Sequence, residues 1–155
     1  MSAERHILII EDNPGDVRLM REALRELQPP VVIHVATDTS EALECLQQAE
    51  QWRDGQRLHL IFLDFNLPKS DSRQLLKQIK EHEHWRLIPL AVLTTSDAAR
   101  DVRDAYELYA NCYLRKPLDL DGFFNTIRQA TRFWLDISYS PGDVREQAEE
   151  GLHLL

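Results

Sequence analysis

The chain alternates between short apolar runs and longer amphipathic stretches, and it does so five times. One such run, Leu58-His59-Leu60-Ile61-Phe62-Leu63, closes on Asp64, after which Asn66 and Pro68 break the pattern. A run this long, rich in Leu, Ile and Phe, suits a strand buried on both faces of a parallel sheet. His6 to Ile10, Val31 to Ala36, Pro89 to Leu93 and Asn111 to Arg115 are further runs of the same kind.

Between the runs, apolar residues recur at helical spacing. The first stripe is Val17, Met20, Ala23, Leu24 and Leu27, opened by Pro14 and stopped by Gln28-Pro29-Pro30. Proline is suited to a first turn, where its missing N–H is not needed. The second stripe, Ala42, Leu43, Leu46, Ala49 and Trp52, follows the capping oxygens of Thr37-Asp38-Thr39-Ser40. The others are Leu75, Leu76 and Ile79; Ala98, Val102, Ala105 and Tyr106; and a fifth from about Asp119 to Trp134 carrying Leu120, Phe123, Phe124, Ile127 and Ala130. Strands alternating with helices imply a parallel sheet covered on both faces. Right-handed crossovers and the chain length favour an α/β, flavodoxin-like (βα)5 doubly wound sheet with strand order 2-1-3-4-5.

Composition narrows the function classes. The 155 residues suit one domain, and 43% hydrophobic with 28% charged residues is ordinary for a soluble globular chain. A formal net charge of −8 argues against a general nucleic-acid binder. Cys45 and Cys112 are too few for a disulfide framework and read as small buried apolar residues. No signal-peptide pattern or apolar span of about 20 residues is present, so the expected location is cytoplasmic. The Glu81-His82-Glu83-His84 cluster reads as a solvated helix end, since side chains two apart on a helix diverge. Neither G-x-G-x-x-G nor a P-loop pattern occurs.

Taken alone, Asp64 could cap a turn as readily as serve a site. The predicted topology changes this. Open α/β sheets bind ligands beyond the C-terminal strand ends, at the switch point, here between strands one and three. Those ends carry Glu11 and Asp12, Asp64, Thr94 and Lys116. At about 4 Å and an effective dielectric near 20, each like-charged carboxylate pair costs roughly 4 kcal/mol. Such a cluster calls for a cation, and all-oxygen donors point to Mg²⁺. A cation makes a phosphoryl group welcome there. Thr94 and Lys116 can contact its oxygens, and Asp64 can act as the nucleophile.

With these residues in view, the chain resembles the response-regulator receiver domains of two-component signalling. Thr94 stands 30 residues after Asp64, and Lys116 stands 22 after Thr94. Glu11-Asp12, Pro68 and Lys116-Pro117 match as well. The resemblance covers roughly residues 5–135. It implies Asp64 as phospho-acceptor, with Glu11, Asp12, Asp64 and the Asn66 backbone carbonyl as Mg²⁺ ligands. It also implies Thr94 and Lys116 as phosphoryl-binding groups, Thr94 and Tyr113 as switch residues, and a cis Lys116–Pro117 bond. Glu11-Asp12-Asn13-Pro14-Gly15-Asp16, Leu93-Thr94-Thr95-Ser96, Ala110-Asn111-Cys112-Tyr113 and Phe133-Trp134-Leu135 are similar to the stand-alone regulators of phytochrome histidine kinases. That implies a phytochrome-type kinase as phosphodonor. Ser72 and Tyr109 stand where the family usually has Gly, so strained or reshaped turns are expected there.

Two other functions were open to these residues. An Asp-nucleophile phosphatase needs a second acid two residues after the nucleophile, where Asn66 stands. A degenerate receiver acting only as a binding module would not need the full acidic, hydroxyl and lysine set. Residues 136–155 form an extension whose Asp136, Asp143, Glu146, Glu149 and Glu150 outweigh Arg145, which excludes direct DNA output. Phe133, Trp134, Leu135, Ile137 and Tyr139 are too apolar to leave wet. The extension is therefore expected either to pack on a second copy, as the arm of a C2 homodimer, or to fold back on its own chain.

Overall fold

The computed structural model describes residues 4–143. Five parallel strands, β1 (Arg5–Ile10), β2 (Val31–Ala36), β3 (Leu58–Leu63), β4 (Leu90–Thr94) and β5 (Cys112–Arg115), form one sheet. Their order is β2-β1-β3-β4-β5, as the alternating pattern predicts. The helices are α1 (Pro14–Arg25), α2 (Thr39–Ala49), α3 (Ser72–Glu81), α4 (Ala99–Glu107) and α5 (Leu120–Arg132). A 3-10 turn at Trp85–Leu87 precedes β4, and a π-helical turn at Phe133–Ile137 extends α5. None of the helices described is long and apolar enough to cross a membrane.

Strand alternation explains why the central runs are continuously apolar. Leu8, Ile10, Ile61, Leu63 and Val92 point to one face, where Ala42, Leu46, Leu75, Leu76, Ile79 and Ala105 of α2, α3 and α4 cover them. Ile7, Ile9, Leu60, Phe62, Ala91 and Leu93 point to the other, against Met20, Ala23 and Leu24 of α1 and Phe123 and Ile127 of α5. Each fully buried Leu, Ile or Phe contributes about 1.5–3 kcal/mol, so the central strands hold both layers. Side-chain caps from Asn13, Asp38, Asp71 and Asp119 start α1, α2, α3 and α5.

Several details differ from the expectation. Tyr106 is half exposed, because Ala105 is the only α4 residue fully inside. Leu120, at the first turn of α5, is also half exposed. The Lys116–Pro117 bond is trans; the cis peptide among the described residues is Gln28–Pro29. Lys116 reaches its partners with the trans form, which X–Pro bonds favour by about 0.5–1 kcal/mol. Ser72 opens α3 with no left-handed backbone, whereas Tyr109 does adopt φ 69°. Tyr109 ends α4 in a Schellman arrangement: its N–H donates to the Tyr106 carbonyl and that of Ala110 to the Ala105 carbonyl, both at 3.0 Å.

The His82 ring is engaged at the end of α3. The His82 ring stacks on Trp85 with centroids 3.7 Å apart, and its Nδ1 accepts from the His84 and Trp85 N–H groups. Cys45 and Cys112 are free and half-buried, and burial pushes both thiols up.

Candidate functional site

The strand ends are brought into register by backbone bonds that run one residue past the strands. The Glu11 N–H donates to the Ala36 carbonyl at 2.9 Å, Asp64 to Ile10 at 3.0 Å, and Lys116 to Thr94 at 2.7 Å. Each functional side chain therefore starts from a rigid ladder position rather than from a free loop. Glu11, Asp64, Thr94 and Lys116 are all buried, and Asp12 is more open than any of them.

The Lys116 ammonium is the centre of the arrangement. It lies 2.8 Å from Glu11 Oε2, 2.8 Å from Asp16 Oδ2 and 3.2 Å from Asp64 Oδ2. The second oxygen of Glu11 accepts the Asn13 N–H at 3.0 Å, and that of Asp64 accepts the Asn66 N–H at 2.9 Å. The Asn66 side-chain amide donates to Thr94 Oγ1 at 2.9 Å. Ser72 Oγ, buried at the start of α3, donates to the Asp64 backbone carbonyl at 2.7 Å, fixing the end of β3 from behind.

Four carboxylates, Glu11, Asp12, Asp16 and Asp64, gather around one ammonium, and all but Asp12 touch it. Burial pushes Glu11 up to about 7, the neighbouring Asp64 adds to the rise, and Lys116 opposes it. Burial also works against the charge of Lys116, but its bonds to Asp16 and Glu11 and the charge of Asp64 outweigh that, so its pKa is raised. Oxygens from Glu11, Asp12 and Asp64 lie within 4.8 Å of one another. A hard divalent cation fits this donor set, whose carboxylates outnumber its single ammonium.

Tyr113 lies to one side of the carboxylates. Its hydroxyl donates to the Ser96 carbonyl at 2.7 Å, and its ring meets Phe65 edge-on at 6.3 Å. These contacts belong to a closed ring. The Arg73 guanidinium sits 4.8 Å over Phe65 and pairs with Asp101 and with Asp104, the latter at 2.8 Å; the Ser96 hydroxyl donates to Asp101.

The structure thus brings together Glu11, Asp12, Asp64, Asn66, Thr94 and Lys116, as expected from the sequence, and ties Tyr113 to Ser96 in the loop after Thr94. The roles of Asp16 and of the Arg73 ring, and the bond from Ser72 to Asp64, were not foreseen. For Asp16 a signal existed: it is an acid in the first turn of α1, four residues after Asp12, directly beyond the strand ends.

Comparison with known proteins gives a consistent result. The family model described as the response regulator receiver domain matches residues 7–128. The response regulator Rcp1 of a Synechocystis species is 38% identical over 130 residues, covering 84% of this chain and 88% of Rcp1. A phosphorylated cyanobacterial phytochrome response regulator, RcpA, superposes with a TM-score of 0.81 at 36% identity, over 89% of this chain and 99% of RcpA. The Mn²⁺-bound form of Rcp1 superposes with a TM-score of 0.78 at 37% identity, over 88% of this chain and 99% of that one.

Proposed function

The chain belongs to the response regulator receiver family, and from that premise we propose that it is a switch that takes a phosphoryl group onto Asp64 from the phosphohistidine of a histidine kinase. An Asp64 carboxylate oxygen attacks phosphorus. The P–N bond breaks, and the histidine nitrogen leaves with the electron pair and regains a proton. Glu11, Asp12, Asp64 and the Asn66 backbone carbonyl hold Mg²⁺, which when bound neutralises phosphoryl charge and orients the donor. Lys116 pairs with one phosphoryl oxygen as a point charge. Thr94 turns its hydroxyl from Asn66 to another, and Tyr113 follows that movement as the second switch residue.

One observation carries this reading. Lys116 bridges Glu11 and Asp64 inside a buried pocket whose acids exceed its cations, an arrangement that suits a metal and a phosphoryl group together. The chain is a phospho-acceptor rather than a turnover enzyme. Asn66 occupies the place of a general acid and spends its amide on Thr94. Likeness to the named phytochrome response regulators supports a phytochrome-type kinase as donor. The receiver unit spans residues 5–135, and residues 136–155 are an extension that serves a homodimer rather than DNA.

The test is incubation with Mg²⁺ and acetyl phosphate. The expected product is an acid-stable, base-labile acyl phosphate, seen as one added phosphoryl mass and absent from Asp64→Asn. Full labelling of that variant would refute the assignment, and turnover of many phosphate esters would favour a phosphatase.

A further inference from the structure

An ammonium has three N–H donors, and Lys116 has three carboxylate partners. It is 6% exposed, so water has little access to replace a partner that leaves. Any further acceptor must displace one of the three. The three are unequal. Glu11 is 3% exposed, so leaving Lys116 would strand a buried carboxylate wherever Mg²⁺ does not take its place. Asp64 becomes an acyl phosphate, a mixed anhydride, and loses its carboxylate charge, so one phosphoryl oxygen inherits its place at Lys116 and a second enters only by displacing another partner. Asp16 is 28% exposed and can be released into water.

We propose that Asp16 is a positioning residue that competes with the phosphoryl group for Lys116. This rests on the reading of Asp64 as phospho-acceptor. At rest Asp16 satisfies the third N–H of Lys116 from the mouth of the pocket. In the phosphorylated protein it yields that N–H to a phosphoryl oxygen. Its attraction therefore favours the unphosphorylated state and shortens the life of the acyl phosphate. The ordinary role of an acid in a helix's first turn, favourable interaction with the helix dipole, accounts for stability but not for this effect.

The full chain, with Mg²⁺ and acetyl phosphate, tests the idea through two readouts: the labelled fraction at steady state and the half-life after donor removal. Asp16→Asn should raise both by roughly two- to fivefold, the range that a partly exposed ion pair supports. Asp16→Glu, which keeps the charge, should stay near wild type. Asp16→Ser serves as a second neutral variant should Asp16→Asn fold poorly, and thermal unfolding checks each. The gain should persist in 0.5 M NaCl, because contact at 2.8 Å survives screening that removes longer-range repulsion. Equal labelling and half-life in wild type and folded neutral variants would overturn the proposal. So would a gain that vanishes with salt. A wild type that takes up no phosphoryl group would instead overturn the reading of Asp64, and this proposal with it.

Discussion

Glu11 is held up to about 7 mainly by burial, with Asp64 pushing in the same direction. Its folded value lies above its ordinary one of 4.5, so between those pH values the folded protein keeps a proton that the unfolded chain has lost. Metal-free stability from this group is therefore full below about pH 4.5 and falls as pH rises to 7, by on the order of 2–3 kcal/mol. A divalent cation reverses the trend, since it must displace that proton at low pH and finds a bare carboxylate at high pH. Mg²⁺ affinity should rise close to tenfold per pH unit below 7 and level off above it. The check is the Mg²⁺-induced rise in melting temperature, larger at pH 8 than at pH 6; equal shifts would contradict it. Glu11, Asp64, Thr94 and Lys116 were legible in the sequence because each ends an apolar run whose strand position topology fixes. Ser72 was legible only as a missing glycine. Its hydroxyl caps a carbonyl eight residues back, and no local pattern announces that bond.

At the scale of elements, the five strand–helix units follow from the period of their apolar residues, because sheet and helix each bury a regular face. The ties between helices were not legible. Arg73 of α3 meets Asp101 and Asp104 of α4 across 28 and 31 residues of sequence. Surface charges are plentiful, and nothing in the chain says which will meet. The resulting ring runs through Phe65, Tyr113, Ser96 and Asp101, so it joins α3 and the end of β3 to the β4–α4 loop and β5. Arg73→Ala should cost about 1–2 kcal/mol, summing two partly exposed ion pairs and one cation–π contact. It should also speed hydrogen exchange in α4, whose single fully buried residue, Ala105, anchors it weakly. Unchanged exchange in α4 would mean that the helix is held by packing alone. The left-handed Tyr109 at the end of α4 adds about 1 kcal/mol of strain that a glycine would avoid, while presenting an exposed ring beside Tyr106.

At the scale of the whole molecule, the two edges of the sheet have different tasks. The C-terminal edge gathers the acids and Lys116, and the opposite edge receives residues 136–143. Arg5, at the start of β1, pairs with Asp136; Arg57, just before β3, pairs with Asp143 and donates to Ser140 Oγ at 3.0 Å. A Cβ on Gly142 would come within 2.6 Å of the Arg57 guanidinium carbon, so the absence of a side chain allows this close approach. Of the two expectations for the extension, folding back describes residues 136–143, while residues 144–155 lie outside the described part. Folding back does not exhaust the segment, because Phe133, Ile137 and Tyr139 remain 45%, 69% and 68% exposed. Asp136 and Asp143 are thus spent within the chain, while Phe133, Ile137 and Tyr139 stay exposed, which is the basis for the proposed contact with a second copy. The two tasks can be separated by experiment. Deleting residues 136–155 should lower the melting temperature by about 3–6 °C, as expected for losing 1–2 kcal/mol in a domain of this size, and should convert a dimer to a monomer in light scattering. Ile137→Asp with Tyr139→Asp should change the mass alone, because neither side chain takes part in the ion pairs. A dimer that survives the deletion, or a full-length chain that is monomeric at tens of micromolar, would remove the homodimer arm and leave the extension as a brace on the sheet's N-terminal edge.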